Sequence, residues 1–490
     1  MNAILFCAGV GRRFQPISFS CPKPLTPING VPIVEQTLRM LRGSDIGRIT
    51  LVVGYMAEKF AYLKDKYNVE FVYNPEHDTR NTHSSLLLAA DRLDGSLLID
   101  GDVVFLKNVL SRVQPGKSQF VCQPTVHGLE WEVFPDETGR IVRVEKWTAT
   151  GHSMCGLSYW EGKTAATLAD ELKRCAPDDY WEEAVLKILP SVPVYATLIE
   201  EPFLQETDTI KDALHYGLIT HEEIAQLSSV DFPPVRLKGL TNSTWQVRDN
   251  SGIMRCLRIP GHGTDSFIDR EQEPAIYGLI KHLEITPESV FFPGGLKMTR
   301  FMSDHRVAVS SDLELGFFKS LATALAKLNG IHHTAESPLQ PMLIGDQILK
   351  FESLTGKSAP PLQRAWLLEK ASMFDSEPQV LCHRDLALEN ILVSGGHGQD
   401  IQIIDFEYAG FAHPLWEVAS FILESGMNAE AREEFARCCG VTNAGEGSRL
   451  WEMESLVDYV WGLWGLERGY IDYSNIKLKR MLRRLQAVTE

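Results

Sequence analysis

The sequence predicts two folded units in series: an α/β domain with a mostly parallel sheet, then a bilobal α+β domain. Three observations carry this reading. Residues 1 to about 225 alternate short apolar strands with helical patterns, at 3–7, 33–41, 49–53, 59–66 and 70–73, the rhythm of strands joined by crossover helices. A stretch at 221–234 then ends in Asp231-Phe232-Pro233-Pro234, turn chemistry that suits a joint. Beyond it, 244–247 and 255–259 read as strands of a small β-rich lobe, and helical patterns dominate from about 313 onward. The expected boundaries are 1–225, a linker at 226–236, and 237–490.

Composition narrows the function. A chain of 490 residues is too long for one core, and 44% hydrophobic with 23% charged residues is ordinary for a soluble globular protein. The formal net charge of −16 argues against a nucleic-acid partner, since a phosphate backbone needs a basic face. No apolar run approaches the roughly 20 residues of a membrane helix. The opening apolar stretch is short, and Arg12 and Arg13 follow it instead of preceding it, so a signal peptide is not expected. Nine scattered cysteines without a CxxC pair read as reduced thiols in a cytoplasmic protein. The sequence leaves a homodimer open.

The first strand runs into Ala8-Gly9-Val10-Gly11-Arg12-Arg13-Phe14. Glycines let backbone amides approach a nucleotide, and two arginines can neutralise a triphosphate. A dinucleotide-binding loop is the rival, but Phe14 stands where its third glycine belongs. Lys23 is held between Pro22 and Pro24, which fix its direction. Asp100 and Asp102 end the apolar run Leu97-Leu98-Ile99. Carboxylates at the carboxyl edge of a sheet suit magnesium, with a turn role as the alternative for either alone.

With these pieces the N-terminal 220 residues resemble the bacterial CTP:phosphocholine cytidylyltransferases. Further segments carry the likeness: Tyr73-Asn74-Pro75-Glu76, Asn81-Thr82-His83-Ser84-Ser85, Glu130-Trp131, Leu157-Ser158-Tyr159-Trp160, Asp179-Tyr180-Trp181-Glu182 and Glu206-Thr207-Asp208. The resemblance implies a Rossmann-like nucleotidyltransferase fold, CTP as co-substrate, and Asp208 as a second metal ligand beside Asp102. It also implies aromatic and acidic residues around a trimethylammonium group. A quaternary ammonium has no N–H to donate, so ring faces and nearby carboxylates recognise it; Trp131, Tyr180, Trp181, Glu182 and Glu183 supply them, and for Trp160 a core role is an equal alternative. Ala8, Gly9, Gly11 and Arg13 would hold the nucleotide. Lys23 and Arg12 would offset charge developing at the α-phosphorus.

The second unit contains His383-Arg384-Asp385-Leu386-Ala387-Leu388-Glu389-Asn390 and then Ile404-Asp405-Phe406-Glu407. In kinase-like folds this spacing sets a base, Asp385, beside two magnesium ligands, Asn390 and Asp405. Upstream, Gly239-Leu240-Thr241-Asn242-Ser243 reads as a phosphate-covering loop, placing Thr241 and Asn242 at the nucleotide. Arg258 would contact ATP phosphates with Glu273 as its partner, a surface salt bridge being the plainer alternative. Trp461 and Trp464 fall on one helix face, as two walls of an ammonium box or as a core stripe.

Across about 235–485 this unit resembles the choline/ethanolamine kinases, through its GLTN-, RIPG-, IDFEYAG- and WGLW-type segments. The resemblance implies ATP, Mg2+ and a choline site lined by Glu424, Trp461, Trp464 and Tyr473. Two positions depart from the family pattern: Arg384 stands where Asn is usual, and Glu417 where Asp is usual. The basic stretch 477–484 is read as a helix packed on the domain, with a membrane-touching amphipathic helix as the alternative.

The expectation is therefore one chain with two transferase activities, making CDP-choline from choline by way of phosphocholine. Rivals keep the chemistry on ethanolamine or a phosphonate, or join a sugar-phosphate nucleotidyltransferase to an antibiotic-type kinase. A nucleotide-sensing binding protein is the alternative from another class. The product's use, in surface glycans or lipid head groups, stays open.

Overall fold

In a computed structural model the opening apolar run forms the strand Asn2–Cys7, parallel to Ile49–Val53 on one side and Ser96–Asp100 on the other. Residues 1–125, 129–238, 242–261, 269–337, 339–395 and 400–489 are described. The chain divides into two compact units. The first comprises Met1–Gly239, Ser243–Ile259 and Phe292–Leu296, and the second Leu240–Asn242, Pro260–Phe291 and Lys297–Glu490.

In the first unit, Ile49–Val53 is buried at every position, as a strand with both faces covered must be. It pairs in parallel with Glu70–Tyr73, which extends the parallel part of the sheet to four strands. Beyond Ser96–Asp100 the sheet turns antiparallel: His152–Trp160 pairs with that strand, and also with Gln119–Pro124 and Glu130–Pro135. The sheet is thus mixed, parallel where the glycine loop and the two acids emerge. Helix Ile33–Arg42 covers one face with Ile33, Val34, Leu38 and Leu41 buried, and Asn81 caps the helix Thr82–Leu88. The expected joint begins as a helix, His221–Leu227, because Thr220 and Glu223 form a reciprocal cap there.

The β-rich stretch expected next is realised by strands Asn242–Arg248, Met254–Pro260, Ser289–Phe292 and Leu296–Arg300. In the second unit the strand pairs Val380–Cys382 with Gly410–Ala412 and Ile391–Ser394 with Asp400–Ile403 frame the catalytic-loop sequence. Helix Ala444–Glu467 is buried on most sides through Leu450, Met453, Leu456, Tyr459, Trp461 and Leu463, and packs against Leu415–Ser425 and Ile471–Thr489. Glycines allow the last contact. A Cβ on Gly462 would sit 2.7 Å from Leu478 Cδ2, and one on Gly465 would sit 3.0 Å from Tyr473 Cδ1.

The basic stretch of the terminal helix turns inward. Arg480 meets the fully buried Asp458 at 2.7 and 2.5 Å, and Arg484 meets it at 2.6 Å. An unpaired buried carboxylate is costly, so these pairs fix the helix against its neighbour. The segment packs on its own domain, as expected, with Lys477, Arg480 and Arg484 paired to acids of neighbouring helices. Among the described residues no helix is long and apolar enough to cross a membrane.

Candidate active sites

The first site is built where Asn2–Cys7 and Ser96–Asp100 end together, Phe6 standing in register with Asp100. Gly101 N–H donates to the Phe6 carbonyl at 3.0 Å, and a Cβ on Gly101 would lie 2.2 Å from that oxygen. Only glycine lets the chain cross the end of the first strand there, and the crossing delivers Asp102 next to the glycine loop. Strand Leu204–Glu206 pairs antiparallel with Val103–Phe105, and Thr207 Oγ1 donates to the Asp102 carbonyl at 2.9 Å. That pairing brings Asp208 to the same place.

Four predicted residues meet. Lys23 Nζ lies 2.6 Å from Asp102 Oδ2 and 3.6 Å from Asp208 Oδ1, and Arg13 grips Asp208 through two hydrogen bonds of 2.7 and 3.1 Å. Gly11, at φ 65°, supplies the left-handed turn that starts the short helix Arg12–Phe14. Ala8 is buried, and Gly9 faces open space. Arg12 is exposed, and no contact among the described residues joins its side chain to the acids.

Burial pushes the Asp100 carboxyl up to about 7, with Asp102 and Asp208 adding to it and Lys23 opposing. Burial also raises Asp102, but the charge and hydrogen bond of Lys23 outweigh it and leave that acid lowered. Asp102 is therefore held ionised while Asp100 behind it favours its proton. Two carboxylates converging on one lysine suit a hard divalent cation that shares its remaining positions with phosphate oxygens. Among the described residues no three His, Cys, Asp or Glu side chains form a closed metal set.

The expected head-group residues separate. Trp131 and Tyr180 come together, ring centroids 6.2 Å apart and nearly perpendicular. Trp181 lies in the core, 3% exposed, between Phe6, Phe120 and Trp160. As the first residue of helix Trp181–Ile188 it turns back onto the sheet, so its indole backs the site without offering a face to it. Trp160 is also fully buried. Burial and the charge of Asp100 hold Glu182 well above the usual carboxylate range, whereas Glu183 is the acid at Trp131: it binds Lys146 Nζ at 2.5 Å, and that ammonium lies 4.3 Å from the Trp131 ring centre.

Trp147, absent from the sequence reading, stands 6.5 Å from Trp131. It is 58% exposed at φ 59°, a strained conformation for a bulky residue, at an irregularity in the pairing of Ile141–Thr148. An exposed cation–π contact contributes about 0.5–1 kcal/mol. Trp147→Ala is accordingly expected to raise KM for the phosphorylated head group by about two- to fivefold with kcat unchanged. An unchanged KM would exclude this ring from the site.

In the second unit the catalytic loop is braced from beneath. His383 Nε2 bonds the Ile404 carbonyl at 2.8 Å, and burial lowers this imidazole to about 4, so it stays neutral. Arg384 takes φ 70°, which Asn tolerates better than Arg. Its backbone N–H donates to Glu417 Oε1 at 2.7 Å, its guanidinium lies 4.7 Å from the Trp416 ring centre, and its carbonyl accepts from Trp416 Nε1 at 3.0 Å. The two departures from the family pattern therefore touch one another.

Burial raises Glu417 to about 7, against hydrogen bonds from the loop backbone and the charge of Arg384. A folded-state value above the unfolded one favours the folded protein below about pH 4.5, and the benefit is lost as pH rises through 7. Glu417→Gln is expected to remove this component. Denaturant melts at pH 5 and 7.5 should differ less in the variant than in wild type, and an equal difference would refute the assignment.

Asn390 Nδ2 donates to the Asp385 carbonyl at 2.8 Å and reaches Asp385 Oδ2 at 3.3 Å. Asp405 adopts φ 66° beside the loop, where Ile404 N–H donates to the Asn390 carbonyl at 2.9 Å. Asp385 is held well above the carboxylate range by burial, then by Asp405, Glu424 and Glu407. Such crowding of acids fits a site completed by a divalent cation, Asn390 and Asp405 being its natural holders.

Thr241 and the first part of the expected phosphate loop lie outside the described residues. Asn242 is described, and its amide donates to the buried Glu407 at 3.0 and 3.2 Å while Arg270 bridges the two. Arg258 is buried on its strand. Glu273 receives Lys297 Nζ at 2.6 Å, and the same ammonium stands 3.9 Å from Asp405. Lys297 has no sequence signature: one lysine in the short strand Leu296–Arg300 carries no motif.

Further along, Trp461 and Trp464 stand 5.3 Å apart at 87°, Tyr408 closes on Trp461 at 5.3 Å, and Tyr473 on Trp464 at 6.1 Å. Tyr473 O–H donates to Glu424 Oε1 at 3.2 Å. All four head-group residues read from the sequence thus gather in one place, joined by Tyr408.

Comparison with known proteins matches each part of the chain to a family. Residues 236–439 match the choline/ethanolamine kinase family, and residues 3–123 the MobA-like NTP transferase domain. A choline-phosphate cytidylyltransferase of Haemophilus influenzae is 30% identical over 223 residues, 44% of this chain and 95% of that protein. A 2-aminoethylphosphonate cytidylyltransferase of Lancefieldella rimae is also 30% identical, over 44% of this chain and 93% of its own. A solved choline kinase of Streptococcus pneumoniae is 23% identical, covering 54% of this chain and 97% of its own, with a TM-score of 0.45. The chain belongs, in its N-terminal part, to the family of the choline-phosphate cytidylyltransferases and carries a choline/ethanolamine kinase family domain after it, a nucleotidyltransferase and a kinase in one polypeptide.

Proposed function

We propose that the protein carries out two consecutive steps on choline. In the kinase domain, assigned to 237–490, the choline hydroxyl attacks the γ-phosphorus of ATP. Its proton passes to Asp385, the bond to the ADP oxygen breaks, and phosphocholine and ADP leave. In the transferase domain, assigned to 1–225, a phosphate oxygen of phosphocholine attacks the α-phosphorus of CTP, forming CDP-choline and expelling pyrophosphate. Lys23 and Arg13 offset charge on the phosphates, and Arg12, exposed at the loop, is the third cation within reach. Magnesium, held by Asp102 and Asp208 in one domain and by Asn390 and Asp405 in the other, would supply Lewis-acid neutralisation of the phosphate oxygens.

The cage of Tyr408, Trp461, Trp464 and Tyr473 around Glu424 carries this reading. Its carboxylate is close enough to Asp385 to raise that acid. Rings with one acid suit an alkylated ammonium whose hydroxyl end reaches the base. The two cytidylyltransferase relatives act on different head groups at equal identity, so the transferase domain does not choose between them. The presence of a kinase domain supports a phosphate ester over a phosphonate, because a phosphonate already carries its phosphorus and needs no phosphorylation. Nine cysteines without a disulfide, together with the use of ATP and CTP, support a cytoplasmic location.

Phosphorus NMR of the protein with magnesium, ATP, CTP and either choline or ethanolamine tests the proposal. Phosphocholine should appear first, then CDP-choline and pyrophosphate, with little product from ethanolamine. Turnover of ethanolamine alone would leave the chemistry and remove the head group, and no turnover of either would reject the reading.

A further inference from the structure

Within the kinase cage a protein ammonium already occupies the corner between a ring and the acid. Lys477 lies one helical turn beyond Tyr473 on Ile471–Thr489, on the same face. Its side chain is 3% exposed, its Nζ binds the same Glu424 Oε1 that accepts from Tyr473 O–H, and it stands 5.0 Å from the Tyr473 ring centre. Anchoring Asp458 does not account for it. Arg480 and Arg484 already supply three hydrogen bonds to that carboxylate, and Lys477 stays 3.8 Å away.

We propose that Lys477 sets the head-group preference of the kinase site, acting through Glu424 as a positioning residue; this rests on the functional reading above. The lysine charge and N–H bond take up much of what Glu424 can offer. A primary ammonium enters the cage only by giving up strongly held water, and it needs acceptors for its three N–H groups in return. A trimethylammonium has no N–H to satisfy and gains from ring faces alone. An acid already paired to an internal lysine therefore penalises ethanolamine more than choline, selecting by an unmet hydrogen bond instead of by a clash.

The test is steady-state kinase kinetics of the full chain on ethanolamine, its N-methyl and N,N-dimethyl derivatives, and choline. In wild type, kcat/KM should rise with each methyl. Lys477→Met should raise kcat/KM for ethanolamine by about tenfold, carried by KM with kcat nearly constant, the size of one regained charged hydrogen bond. Choline should change by less than about threefold, and Lys477→Arg should restore the wild-type slope. A choline-to-ethanolamine ratio that stays within about twofold of wild type in folded Lys477→Met, or one that Lys477→Arg shifts equally, would overturn the proposal. Folding is checked by the ATP-induced rise in Tm. If Lys477→Met fails it, Lys477→Leu, which also removes both the charge and the N–H donors, carries the same comparison. Wild type inactive on the whole series would instead overturn the head-group reading, and the proposal with it.

Discussion

Asp385→Asn is expected to lower kinase kcat by about 10²- to 10⁴-fold, the usual worth of a positioned general base. The substitution is nearly isosteric, and the bond from Asn390 Nδ2 to the residue-385 carbonyl does not depend on the side chain. ATP affinity should therefore persist, as Asn390, Asp405 and the Lys297–Glu273 pair are untouched. Cytidylyl transfer from supplied phosphocholine should be unchanged, while label from choline should no longer reach CDP-choline. Loss of ATP binding along with turnover would show instead that Asp385 is needed to assemble the site.

Lys23→Met should do the reverse, lowering cytidylyl transfer by about 10²- to 10³-fold, as losing one donor to developing oxyanion charge does elsewhere. The kinase should keep its rate. Lys23 is also the principal influence holding Asp102 ionised against its burial. Its loss should move the acid limb of the pH–rate profile upward, since Asp102 then titrates at higher pH. A variant slowed less than about threefold, with an unshifted acid limb, would exclude Lys23 from the chemistry. Together the two substitutions separate the activities in one preparation.

How much of this was legible depended on whether the residues were adjacent in sequence. The loop 383–390 is readable because the proposed base, Asp385, and the proposed metal holder, Asn390, sit within eight residues, and the spacing itself is the geometry. Lys23 and Asp102 are legible by type and position, and Asp208 only through the family resemblance, but their meeting depends on the pairing of Leu204–Glu206 with Val103–Phe105, which no local pattern reports. The two glutamates after Trp181 point it to the cage, yet the helix start turns its ring into the core. Trp147 gives no signal in the sequence: it stands alone among polar residues on an exposed hairpin, and the irregular pairing that presents it leaves no compositional trace. Lys477, Arg480 and Arg484 gave a basic amphipathic pattern. Their partners, Glu424 and Asp458, lie on two other helices, so the pattern alone left packing and membrane contact both open.

The glycines of Ala444–Glu467 bear on how substrates are admitted. Because Leu478 and Tyr473 rest almost on the backbone at Gly462 and Gly465, and Asp458 ties Arg480 and Arg484 across, the two helices that carry Trp461, Trp464 and Tyr473 are locked as a hairpin. Neither helix can slide outward without breaking buried ion pairs. The spacing of these two helical walls is thus fixed, and between their rings only side-chain rotation varies the room. Bulkier ammonium alcohols would be accommodated by trimming a ring, and no lengthening of the connecting loop would widen the opening.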